Sequence, residues 1–533
     1  MAMLMELWLQ HAPVLTVLLP AMTAVVLLLL GDSGGEHGHD GDSVGVCRRV
    51  SLTSVALGVL MAVGLVVHAS TGELMVYRLG EWPAPFGIVL LVDRLSALML
   101  LLTATVALPV LWYACGGWDT RGRYFHALFH FQLMGLNGAF VTGDLFNLFV
   151  FFEVLLIASY VLLVHGQGRE RFRMGVHYVV LNLAASALFL IGLGLVYATT
   201  GTLNMADVAQ RVAQLQGDDA TLAHVAAVIL LVVFGLKAAL VPLYAWLPAT
   251  YAAASAPVAA LFAIMTKVGV YSILRVHGVI FGIDAGALTE SVAGWLLPLA
   301  LTTSALGVLG ALAAPNMARL VAYLTVSSVG TILAGVALYS TQAWSAALYY
   351  TLHSTLVVAA LFLLVELISA QRGDTCDRLQ PAPAVREPVL LGLMMLLGAA
   401  SAAGLPPLPG FLGKLMILEA SHGLSAQAWV WSVVLVVGFF TIIGLARAGA
   451  IVFWHVQPCE ADAVGHAGHS ARLIAPTALL LLLGVVMAGL ASPLKRYTDA
   501  TAQQLTDKAA YVRAVLGEGA APTTHPYRGE PAR

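Results

Sequence analysis

The chain has 533 residues, 60% of them hydrophobic and only 10% charged, with a formal net charge of -2. Soluble domains carry about 25% charged residues, so this composition excludes a soluble enzyme, a disordered chain and a disulfide scaffold. No basic excess offers a footprint for nucleic acid, and Cys47, Cys115, Cys376 and Cys459 are spaced as neither a disulfide framework nor a zinc motif.

A membrane-crossing helix needs roughly 20 apolar residues, and about fourteen stretches qualify. In chain order they are 8–30, 50–68, 91–115, 123–142, 145–165, 174–197, 222–245, 252–281, 292–314, 319–339, 344–369, 388–419, 428–454 and 472–492. The first lacks a cationic flank and a cleavage-like end and is read as a span rather than a signal segment. Between the first two, Gly35–Asp40 holds His37 and His39 in a Gly-rich loop, which reads as a solvated linker; a metal pair is the sharper alternative. The polar stretch after the last span reads as a short helix and a loose tail.

Two long apolar runs are interrupted. The run 222–251 contains Pro242 and Pro248; the run 388–422 contains Gly404, Pro406, Pro407, Pro409 and Gly410. Proline removes an amide donor and breaks the helical ladder. At membrane depth such a break survives only where protein or a hydrated cavity satisfies the freed backbone, and broken helices point to ion sites in transporters. A simple proline kink is the plainer alternative.

If the spans alternate, Arg48, Arg49, Arg121, Arg123, Arg169, Arg171, Arg173, Arg372, Arg378 and Arg386 share one side, opposite Glu73, Glu81, Asp207, Asp218, Asp219, Asp284 and Glu290. The positive-inside rule assigns the arginine side to the cytoplasm and both termini outward. Lys495 and Arg496 fit this poorly; one miscounted helix would move that tail inside.

Only five lysines are present, and Lys237, Lys267 and Lys414 fall inside apolar stretches, as does Glu153. A charge at mid-bilayer costs roughly 2.5–3.5 kcal/mol on insertion scales, so each needs a reason. Burial lowers a lysine's proton affinity and a nearby carboxylate raises it, so a Glu153–Lys237 pair that forms and breaks can pass a proton. A static salt bridge or snorkelling is the alternative; snorkelling suits the short Glu153 badly. His353 lies mid-helix, where an imidazole is a natural relay or an ordinary hydrogen-bonded core residue. His126 and His130 share a helix face near its start and read as interfacial. Asp93 and Asp144 stand at helix starts, where the helix dipole suits a carboxylate.

The segments Thr142–Val154, with its Gly-Asp-Leu-Phe-Asn and Phe-Phe-Glu, Trp246-Leu247-Pro248, Thr266–Tyr271 and Gly404–Lys414 resemble the D subunit of Mrp-type multisubunit cation/proton antiporters. The same superfamily includes the antiporter-like subunits of respiratory complex I. The resemblance implies an all-α polytopic membrane protein of about fourteen helices with two inverted five-helix repeats, helices 4–8 and 9–13, each with a broken helix. It divides the chain into 1–121, 122–281, 282–454 and 455–533. Pro242-Leu243 and Trp246-Leu247 line up with Pro407-Leu408 and Phe411-Leu412, which sets Ala249 opposite Lys414. By resemblance, Glu153 and Lys237 pair in the first half, and Lys267 and His353 lead to Lys414 in the second. Residues 249–254 after Trp-Leu-Pro carry no acidic or histidine residue, which favours the antiporters over complex I. Val357 and Val358 stand where relatives often have a lysine. Residues 321–330 look closer to the Pha-type potassium/proton branch than to sodium-type relatives.

The expectation is therefore a secondary transporter subunit of a bacterial inner membrane. It would work with other subunits of a K+ or Na+/proton antiporter, without redox cofactor or resident metal. A proton-pumping subunit of a redox-driven complex and a scaffold with static buried charges are the alternatives.

Overall fold

The computed structural model describes residues 2–31, 41–457 and 471–517. The linker with His37 and His39 and the last sixteen residues lie outside them. Among the described residues, twelve helices are long and apolar enough to cross a membrane. Two further expected spans are shorter: α4 (Phe125–Val141) has 17 residues, and the run from 388 is divided into α14 (Pro388–Ala403) and α15 (Pro409–Ala420).

The N-terminal helices are α1 (Ala2–Leu29), α2 (Gly41–Ala69) and α3 (Arg94–Ala114). Between α2 and α3 stands a hairpin the hydropathy pattern does not reveal, β1 (Met75–Arg78) antiparallel to β2 (Val89–Val92), with Met75 opposite Val92. After α4 come α5 (Leu145–Val164), α6 (Arg169–Thr200), short α7 (Met205–Val212), α8 (Gly217–Ala238), α9 (Trp246–Ala253) and α10 (Ala256–Ile273). A π-helical turn, Leu274–Ile280, continues α10. The chain proceeds through α11 (Ala293–Ala313), α12 (Met317–Val336) and α13 (Thr341–Ser369) to the divided run. It closes with α16 (Gln427–Phe453), α17 (Ala471–Gly489), and two helices where the sequence predicts one, α18 (Ala491–Thr506) and α19 (Lys508–Leu516).

A helix apolar all round belongs in a protein core, and α10, α12 and α13 are those helices, buried almost throughout. The α13 helix packs against α10, α12, α15, α17 and α18, while α5, α6, α8 and α10 contact one another in sequence. Small residues bring backbones together, as membrane packing favours. A Cβ on Gly269 of α10 would stand 2.6 Å from the Ala238 amide nitrogen of α8. One on Gly307 of α11 would stand 2.5 Å from the Ser327 amide nitrogen of α12.

Both interruptions are built alike. The α8 helix ends on Ala239 and α14 on Gly404, each left-handed, with φ of 63° and 83°. The next amide reaches back to the carbonyl five residues earlier, Leu240 to Gly235 and Leu405 to Ala400, which satisfies end groups as in a Schellman cap. A cis X-Pro peptide follows in both, at Pro242 and Pro407. The freed Val241 amide donates to Thr303 Oγ1 of α11 at 2.9 Å. Pro406 and Pro407 lie in the second gap and Pro409 opens α15. Pro248 falls in the first turn of α9 rather than in the gap, a position where its missing N–H removes no helical bond.

Candidate functional site

The sequence-derived candidates lie on elements that touch in succession, α5, α8, α10, α13 and α15, with α6 between the first two. Lys237 sits in the last turn of α8 and is buried. Its Nζ donates to Asn182 Oδ1 on α6 at 3.0 Å and stands 5.8 Å over the Phe152 ring of α5. Glu153, half-buried on α5, accepts a hydrogen bond from Ser186 Oγ through Oε1. Asn182 and Ser186 are four apart, so one face of α6 carries both. The expected Glu153–Lys237 contact is thus not a direct ion pair: α6 supplies a neutral polar bridge. Asn182 is held by its own amide nitrogen on the Tyr178 carbonyl at 2.8 Å.

Lys267 is fully buried at the middle of α10, with Thr266 Oγ1 at 3.4 Å from Nζ. The ion pairs among the described residues include none of Lys237, Lys267 and Lys414.

His353 and Lys414 meet at the second interruption. The carbonyls at the end of α14 have no further helical turn to accept and carry the partial negative charge of a helix C-terminus. Lys414 Nζ donates to the Ala403 carbonyl at 2.8 Å, and the Ser401 carbonyl and His353 Nε2 both crowd Gly410. Glycine makes this possible: a Cβ on Gly410 would collide with the Ser401 oxygen and stand 2.7 Å from His353 Nε2. His353 and Lys414 line one cavity of about 20 Å³ with Ser327, Ser328 and Thr331 of α12. Val357 and Val358, four and five residues after His353, form part of its wall.

His126 and His130 are not interfacial, because α2 and the loop after α3 cover them. His130 is fully buried and bonds Ser51 Oγ of α2 at 2.9 Å. His126 bonds Asp119, which also receives Arg48 in a two-pronged contact at 2.6 and 2.8 Å. Cys115 joins this group, with ligand atoms of Cys115, Asp119 and His126 within 4.8 Å of one another. Sequence spacing gives no hint of it. Burial would raise the Asp119 carboxyl, but hydrogen bonds and charge from Arg48 and His126 outweigh that and hold it below its usual range. Burial, then the Asp119 charge, push the Cys115 thiol up to about 12. A protonated thiol and a carboxylate occupied by Arg48 suit an ion-pair network better than a metal. Asp93 caps α3 as expected, and Arg275 of the π-helical turn also grips it at 2.6 and 3.0 Å.

The family described as NADH:quinone oxidoreductase/Mrp antiporter, TM, matches residues 142–443. The D subunit of a probable K(+)/H(+) antiporter of Rhizobium meliloti (strain 1021) is 41% identical, over 93% of this chain and 96% of its own. The D subunit of a Na(+)/H(+) antiporter of Bacillus subtilis (strain 168) is 36% identical, over 95% of this chain and 99% of its own. Among solved structures, a chain in the Mrp complex from Dietzia sp. DQ12-45-1b superposes with a TM-score of 0.83 at 27% identity, covering 96% of this chain and 99% of that one. With its two interrupted helices, its row of buried lysines and these relatives, the chain belongs to the NADH:quinone oxidoreductase/Mrp antiporter membrane family, among its antiporter D subunits.

Proposed function

We propose that this chain is the proton-translocating subunit of a multisubunit monovalent cation (K+ or Na+)/proton antiporter in a bacterial inner membrane. Protons move along Glu153, Lys237, Lys267, His353 and Lys414. The observation that carries this reading is the polar bridge on α6: Asn182 holds Lys237 and Ser186 holds Glu153 one turn apart. Neutral groups that bond either protonation state let a proton pass without leaving a fixed, costly ion pair. At the far end the α14 carbonyls stabilise Lys414 as a cation, and the cavity shared with His353 gives a short hop between them.

The like construction of the two interruptions supports reading helices 4–8 and 9–13 as inverted repeats. In that scheme Lys237 at the end of α8 answers to the end of α14, where Lys414 binds. The arginine-rich loops face the cytoplasm. The energy is an ion gradient rather than a redox reaction, and the other subunits complete the complex.

The test is cation-driven ΔpH in everted vesicles containing the whole complex, with no electron donor. Lys237→Ala and Glu153→Gln are expected to assemble normally and lose proton-coupled exchange. Normal exchange in both variants overturns the relay. A ΔpH that requires an electron donor and ignores K+ and Na+ favours the redox-driven alternative.

A further inference from the structure

A second cavity, with a cluster of polar groups on a mainly apolar wall, lies away from the lysine row, among α1, α2, α3 and α4. Its volume is about 40 Å³, enough for a small ion or a few waters. Its polar lining is Thr16, Ser54, Thr103, His130 and Asn137. The hydrogen bonds around it leave a consistent remainder. The Thr16 hydroxyl donates to the Pro13 carbonyl at 2.7 Å, and that of Thr103 to the Met99 carbonyl at 2.8 Å. Thr23 donates to the Leu19 carbonyl at 2.7 Å, so its 2.7 Å contact with Ser54 takes the Ser54 proton. All three lining hydroxyls have therefore committed their protons, and what each still offers is lone pairs.

Asn137 completes the pattern through a proline. Pro20 in α1 has no N–H, which frees the carbonyl of Thr16. Asn137 Nδ2 donates to that carbonyl at 2.8 Å, leaving Oδ1 as an acceptor. His130 is fully buried, with Nε2 on Ser51 and Nδ1 without a partner. With no accessible surface, it closes the wall of the cavity and offers a guest no ligand.

The cavity's polar oxygens are all acceptors, set in a wall of nine apolar residues, and together they exceed the two donors that one water brings. The cavity matches a positive guest. No carboxylate lines it, which argues against a divalent ion, while neutral oxygens are the ligands that replace the hydration shell of an alkali cation. We propose that the cavity among α1–α4 binds a partly dehydrated monovalent alkali cation through the side-chain oxygens of Thr16, Ser54, Thr103 and Asn137. The cargo cation then enters this chain itself, beside the proton path rather than along it. This rests on the antiporter reading for the identity of the cargo, but the binding can be measured without transport.

The experiment is equilibrium binding of radioactive rubidium and sodium to the purified, assembled complex. Thr103→Val and Asn137→Leu keep shape and remove an acceptor. Each is expected to weaken binding of at least one of the two ions by about tenfold or more, as loss of a bond to a charged group does, and together they should abolish one equivalent. Thr103→Ser keeps the hydroxyl and should bind normally, which separates ligand loss from misfolding. Lys237→Ala should also bind normally although it does not transport. Unchanged affinity and stoichiometry in assembled Thr103→Val and Asn137→Leu complexes overturn the site. Absence of cation-driven ΔpH in the unmodified complex would instead overturn the antiporter reading, with the binding count still deciding the cavity.

Discussion

At the scale of single residues, the buried lysines are only half of the arrangement; the other half is neutral. Lys237 relies on Asn182 for its one side-chain acceptor, and Glu153 relies on Ser186. A hydrogen bond to a charged group is worth about 1.5–3 kcal/mol, and a buried charge stripped of it bears the full desolvation cost. Asn182→Leu preserves volume and removes the acceptor. It is expected to slow cation-driven proton transport in vesicles about tenfold or more while the complex assembles. Ser186→Ala should do the same at Glu153 and Ser186→Thr should not, because threonine keeps the hydroxyl. Equal rates in Asn182→Leu and wild type would show that the α6 bridge is idle. The charged members were legible in the sequence because a lysine or glutamate in an apolar run is conspicuous by its cost. Asn182 and Ser186 were not, since small polar residues are common in membrane helices. What singles them out is the packing of α6 between α5 and α8.

At the scale of elements, the second interruption is a device for aiming carbonyls. Ending α14 at Gly404 leaves the carbonyls of Ala402 and Ala403 to Lys414, and sets the end of the helix against His353 across Gly410. The α15 helix must then start close enough for Lys414 to reach back eleven residues, which is why position 410 has no room for a side chain. Gly410→Ala is expected to push His353 and the end of α14 apart. Transport should fall about tenfold or more, since overpacking costs about 1–3 kcal/mol; Gly449→Ala in α16, a helical position where a Cβ meets nothing within 4 Å, tests whether a glycine substitution in this region is harmful in itself. Wild-type transport in Gly410→Ala would mean the contact is dispensable. Sequence revealed both interruptions, because proline and glycine runs are the strongest local punctuation. It counted Pro248 and Pro409 among the breaks, whereas they stand in the first turns of α9 and α15, since proline at a helix start and proline in a break look alike without the backbone. It also could not reveal that His126 and His130 are covered, because a histidine near a helix start is interfacial or buried according to what α2 does above it.

At the scale of the whole molecule, distant parts of the chain are tied by one buried charge pair. Asp93 begins α3, Arg275 ends the α10 run, and both are nearly inaccessible. The Arg275 guanidinium also faces the Tyr511 ring of α19 at 5.9 Å. The C-terminal helices are strapped down around the pair: Gln504 Oε1 accepts from the Arg94 amide at 2.9 Å, Tyr497 donates to the Arg94 carbonyl at 3.1 Å, and Arg78 donates to the Val515 carbonyl at 3.3 Å. A polar cavity of about 300 Å³ lies between the pair and α18–α19. Removing one partner of a buried pair leaves the other charge uncompensated, at about 3–5 kcal/mol, whereas removing both is far milder. Arg275→Met is therefore expected to lower the thermal stability of the purified complex sharply. Asp93→Asn with Arg275→Met should recover most of the loss, because asparagine still caps α3. The coupling between the two substitutions, read from unfolding midpoints of the four proteins, isolates the pair. Additive losses would mean that the contact holds nothing together, and that the C-terminal helices are kept in place by their apolar faces alone.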